Sequence, residues 1–186
     1  MRAISRLSCS CLAASAIFAI AGTPAEAKNS GIADAGTIVA IALPITAATI
    51  SATKSDWDGI LQMTVATAAT VGTAFLLKKV VHEERPDGSD NKSFPSDTAA
   101  LAFAPAQFLW QRYGWEYGVP AYAAAAFVGY SRVESKQHHW WDVVASAGIS
   151  WTFNELITDR YNPPRDFNAG AIVTPDGGFV SLNYRF

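Results

Sequence analysis

Five stretches without a single Asp, Glu, Lys or Arg constrain what this chain can fold into. Ala35–Thr53 and Gly59–Leu77 each run 19 residues free of charge. Thr98–Gln111, Gly118–Tyr130 and Val143–Asn154 are uncharged runs of 14, 13 and 12 residues. Charge collects in the short segments between them. A helix of a soluble bundle needs a charged outer face, so confining charge to the connections points to helices surrounded by lipid. The first two runs approach the roughly 20 residues that cross a bilayer, and the other three approach it with their polar ends included. The expected fold is therefore all-α, a membrane-embedded bundle of about five helices. The alternative is a soluble bundle of buried helices, which the modest mean hydropathy of +0.13 favours.

The ends of the chain differ from this middle. Arg2 and Arg6, the apolar run Leu7–Ala21 and Ala25-Glu26-Ala27 have the order of a secretory signal with a small-residue cleavage site, so residues 1–27 are expected to be a signal peptide. Both cysteines, Cys9 and Cys11, fall inside it, which leaves no disulfide in the remainder. Asn162-Pro163-Pro164 ends the helical pattern. Beyond it, two alternating stretches flank Thr174-Pro175-Asp176-Gly177-Gly178, and a short C-terminal β-hairpin packed on the body is expected. The expected organisation is a signal at 1–27, a helical domain at 28–161 and a hairpin tail at 162–186. A net charge of −2 with only 16% charged residues excludes the basic surface that a nucleic-acid partner requires.

The polar residues that remain are not scattered. Arg132 stands six residues before His138, and Asp142 four residues after it. On a helix His138 and Asp142 would share a face, with the carboxylate holding one ring nitrogen and leaving the other free to attack. Lys78 and Arg85 are seven apart and would share a face of a continued helix, which Pro86 would end. Both cations, with Arg132, could grip phosphoryl oxygens; alternatively they anchor helix ends at an interface. Ser96, Asp97 or Thr98 could cap the helix that follows, and a helix N-terminus is itself an anion trap. His82, His138 and His139 could be imagined around a metal, but adjacent helical histidines point about 100° apart, so no metal or other cofactor is expected. Trp140 and Trp141 fit a membrane-interface belt.

Lys78-x6-Arg85-Pro86, Pro95-Ser96-Asp97-Thr98 and Ser131-Arg132-x5-His138-x3-Asp142 together resemble the phosphatidic acid phosphatase type 2 superfamily, which includes the vanadium haloperoxidases. The first and third blocks match the family pattern at every fixed position. The middle block departs from the family's P-S-G-H, with Asp97 for glycine and Thr98 for histidine. The resemblance implies phosphate binding by Lys78, Arg85, Ser96 and Arg132, nucleophilic attack by His138 through a phosphohistidine, and orientation of His138 by Asp142. It implies a hydrolase of lipid phosphate or lipid diphosphate substrates.

The family histidine missing at Thr98 protonates the leaving group. Three consequences are open: a substrate with a good leaving group, Asp97 as a substitute acid, or a degenerate protein that binds phosphate and turns over poorly. With the N-terminus exported, two spans precede the first motif and two more the third, so the site would face the periplasm from a bacterial inner membrane. The alternatives are a soluble periplasmic acid phosphatase and a phosphate-binding envelope protein. Oligomeric state and the particular lipid are not specified by any of these residues.

Overall fold

The computed structural model describes residues 28–163, 167–174 and 177–184. The expected signal peptide, 1–27, lies outside the described residues. Among them are five helices: α1 (Lys28–Thr53), α2 (Trp57–Val80), α3 (Asp97–Tyr113), α4 (Trp115–Glu134) and α5 (Trp140–Ile157). Each uncharged run lies inside one of them. The boundaries have local causes. Asp56 caps α2 by accepting from the Gly59 N–H at 3.0 Å, and Ser96 caps α3 by accepting from the Ala99 N–H at 3.3 Å. Gly114, at φ 92°, closes α3 with its N–H on the Trp110 carbonyl and opens α4 without an intervening loop. That left-handed turn is one that glycine takes without strain.

The helix α3 is the centre, and α1, α2, α4 and α5 all pack on it. Ala99, Ala100, Ala102, Ala104 and Ala106 are completely buried, as is Phe108. Their small side chains let four neighbours approach one helix closely. Where α4 passes α3, a Cβ at Gly118 would lie 2.7 Å from the Trp110 backbone. The outer helices have the opposite character. Only 28% of the most apolar window of α1 and 22% of that of α2 are buried, although both are long and apolar enough to cross a membrane. Ile38, Ile41, Ile45, Leu61, Val65 and Leu76 face outward on them.

Alternation of direction places two sets of helix ends together. At one end the starts of α3 and α5 meet the ends of α2 and α4. At the other, Asp56 and Arg112 form a buried ion pair at 2.5 Å, and the Tyr113 hydroxyl donates to Asp56 at 2.6 Å. In the tail, β1 (Phe167–Thr174) and β2 (Gly177–Tyr184) pair antiparallel. Among the described residues the two strands contact each other.

Candidate active site

At the first of those ends, His138 and Asp142 are brought together, but not by the helical face that their spacing suggests. The helix α5 begins at Trp140, so His138 lies before it. Asp142, in the first turn, reaches back and accepts from the His139 N–H at 2.8 Å. That fold-back sets its Oδ2 3.4 Å from His138 Nδ1. The closer partner of the same nitrogen is the carbonyl of Ser93, at 2.7 Å. A carbonyl can only accept, so Nδ1 carries a hydrogen, which in the neutral ring leaves the lone pair on Nε2.

His138 is 2% exposed and Asp142 fully buried. Burial pushes the Asp142 carboxyl up. The hydrogen bonds from His138, Ser93 and the His139 N–H outweigh it and hold the group below its ordinary 3.8.

Ser93 links both halves of this arrangement. Its hydroxyl donates to Asp142 at 2.5 Å while its carbonyl holds His138. The start of α3 is fastened to the start of α5 nearby, since the Ser146 hydroxyl donates to the Ser96 carbonyl at 2.8 Å. Ser96 is fully buried and is the N-cap, leaving Asp97 and Thr98 as the first two residues of α3.

The cations expected to bind phosphate are placed unequally. Lys78, in the last turn of α2, reaches the start of α3 and pairs with Asp97 at 2.9 Å. Arg132, near the end of α4, is 4% exposed. It donates to the Ala33 carbonyl of α1, to Gln137 at 3.0 Å and to Ser131 at 3.2 Å. Arg85 does not share a helical face with Lys78, because α2 ends at Val80 and Pro86 lies in the loop beyond. Its Nε instead donates to Asp90 at 2.7 Å within that loop. The loop is tied to the site by the Ser93 N–H on the Glu83 carbonyl and the Asp87 N–H on that of Lys136.

Asp97, the candidate substitute acid, is paired with Lys78 in the ligand-free protein. Burial pushes its carboxyl up, but the Lys78 hydrogen bond and charge win, so it sits below 3.8 and is ionised at neutral pH without a ligand. The histidines are distributed differently from the imagined trio. His139 comes within 4.8 Å of Glu83 and Asp142 by their ligand atoms, while its ring stacks on Trp141 at 4.4 Å. Trp141 also donates to Glu83 at 2.7 Å. Trp140 and Trp141 are both more than half exposed.

Two positioning residues were not singled out by the sequence. Ser93 lies two residues before the middle block and three before Ser96, and that nearness is the only local signal. Gly36 has none. A Cβ on it would fall 1.8 Å from Ser131 Oγ and 3.0 Å from an Arg132 guanidinium nitrogen. The bare glycine is what lets α1 pass close enough to hold Arg132.

Residues 59–163 match the family model described as the PAP2 superfamily. The chain is 34% identical over 134 residues to a lipid A 4'-phosphatase of Helicobacter pylori, covering 66% of this chain and 68% of that protein. It is 38% identical over 106 residues to a lipid A 1-phosphatase of Porphyromonas gingivalis, covering 53% of this chain and 24% of that longer protein. The crystal structure of Aquifex aeolicus LpxE is similar in fold, with a TM-score of 0.55 at 21% identity, over 69% of this chain and 81% of that one.

Proposed function

This chain belongs to the PAP2 superfamily, and on that premise we propose that it is a membrane-embedded lipid phosphatase acting at the end of the bundle that holds His138. The observation that carries this is the state of His138. Its Nδ1 hydrogen is taken by the Ser93 carbonyl with Asp142 beside it, so the lone pair of the neutral ring lies on Nε2. In the reaction Nε2 attacks phosphorus, the bond to the lipid oxygen breaks, and the lipid leaves. Ser93 and Asp142 stabilise the positive charge that the ring acquires. Water then attacks the phosphohistidine, returns His138 and releases inorganic phosphate. Lys78, Arg132 and the start of α3 offset the charge on the phosphoryl oxygens, with Arg85 joining from its loop.

The lipid is a phosphate ester or diphosphate. Two relatives are named as lipid A phosphatases, so a lipid A phosphate is the first substrate to try. The outward apolar faces of α1 and α2 support a place in the bilayer. An exported signal at 1–27 would put the site on the periplasmic side of a bacterial inner membrane. Thr98 supplies no acid at neutral pH, and Asp97 is paired with Lys78. A substrate whose leaving group needs little protonation suits this ligand-free arrangement, and a carboxyl formed at Asp97 on phosphate entry would serve one that needs a proton.

The test is phosphate release by detergent-purified protein from a lipid A phosphate, a polyprenyl diphosphate and a phosphatidic acid, beside His138→Ala. Release from any of these lipids, lost in the variant, supports the phosphatase. Release no greater than that of His138→Ala from all three rejects it in favour of a phosphate-binding protein without turnover. Extraction of the protein without detergent would reject the membrane placement alone.

A further inference from the structure

The ligand-free phosphate cradle already holds an anion, supplied by the chain itself. Asp97 Oδ1 lies 2.9 Å from Lys78 Nζ, and the Lys78 side chain is only 11% exposed, so this contact is its main outlet. Asp97 is also the first residue of α3, where the helix N-terminus favours negative charge. These are the two features that would draw a phosphoryl group. Titratable groups from three other elements act on the position or share a partner with it. Lys78 comes from α2, Arg132 from α4 and His138 from the segment before α5, while Asp34 of α1 acts on Arg132 together with Asp97. The family pattern has glycine here, with no side chain to compete.

We propose that Asp97 is a specificity-determining residue that occupies the phosphate cradle in the free protein, so that an anion enters only with the uptake of one proton. The inference rests on the cradle assignment above and not on turnover. A phosphate dianion and an ionised aspartate compete for the same lysine and repel each other. Entry of phosphate strips Asp97 of its lysine and puts a like charge next to it, and both changes raise its affinity for a proton. The carboxyl that results has gained an O–H and can donate it to a phosphoryl oxygen. As pH rises the ionised Asp97 holds Lys78 more effectively and phosphate binds more weakly. Product phosphate is thereby released at neutral pH, while a lipid substrate has its tail to hold it in place.

The experiment is calorimetric titration of inorganic phosphate into the detergent-purified full chain, comparing the wild type with Asp97→Asn and Asp97→Gly. Two buffers of different ionisation heat count the protons taken up. The wild type should bind more weakly than both variants at the alkaline end, with the gap closing about tenfold per pH unit as pH falls, the effect of one linked proton. It should also take up about one proton more than either variant.

Equal affinities, equal proton uptake or weaker binding by the variants would overturn the proposal. So would the absence of phosphate binding in all three proteins. Lipid hydrolysis measured alongside separates the two claims. Its absence with the phosphate result intact rejects the phosphatase and leaves the role of Asp97 standing.

Discussion

Gly36 shows how far a single missing methyl can reach. The helix α1 approaches α4 so closely there that any side chain must displace Ser131, and with it the guanidinium of Arg132. Gly36→Ala should lower turnover on the lipid substrate by up to about a hundredfold, the scale of an ångström-level misplacement in an active site. Adding Ser131→Gly, which clears the clash, should restore part of it; kcat for the single and double variants checks both.

Ser93 makes a second prediction. Its hydroxyl helps keep Asp142 ionised, so Ser93→Ala should raise the Asp142 pKa. The acid limb of the pH–rate profile should then move to higher pH, because Asp142 loses its charge sooner on acidification. At this scale the approach of His138 to Asp142 was legible, because a histidine and a carboxylate so few residues apart can reach each other on a helix or at its start. Gly36 was not, since a glycine in an apolar helix gives no hint of what passes it.

Among the elements, the helical runs were legible because charge confinement is a property of each run by itself. Their ends were less so. The sequence suggests that α2 continues to Pro86, yet it stops at Val80, with the Val81 N–H on the Leu77 carbonyl and the chain then extended. The cause is tertiary: the Ser93 N–H takes the Glu83 carbonyl and the Asp87 N–H takes that of Lys136, bonds that no local pattern announces. The same holds at His138, which the start of α5 leaves outside the helix.

Polar contacts between helices also depend on partners distant in sequence. Asn154 of α5 donates to the Ala104 carbonyl of α3 at 3.1 Å and accepts from Thr158. Replacing it with leucine should cost about 1 kcal/mol, typical of interhelical hydrogen bonds in membrane proteins. Thermal unfolding in detergent measures the loss.

For the molecule as a whole, the end opposite the site is held by charge. Asp56 and Arg112 are both buried, with Tyr113 and the Asp159 carbonyl completing the network. Removing one partner, as in Arg112→Met, should destabilise the protein by about 3–5 kcal/mol, because it strands the other charge. Burial pushes the Asp56 carboxyl up, but the Arg112 and Tyr113 hydrogen bonds, the Gly59 N–H and the Arg112 charge bring it below its ordinary 3.8. Its stabilisation is therefore complete above 3.8 and is lost as pH falls through the lower folded value. Melting temperature against pH should show this loss in the wild type and not in Asp56→Asn.

The enclosure of α3 bears on how such a molecule is made. This helix carries Gln107 and Arg112 and has scarcely any face left for lipid, so what shelters it is the company of four other helices. During synthesis its place must stay polar or provisional until α4 and then α5 arrive. A nascent chain stalled at Glu134 would expose the flank that α5 should cover. The last helix, besides carrying Asp142, completes the enclosure of the central one.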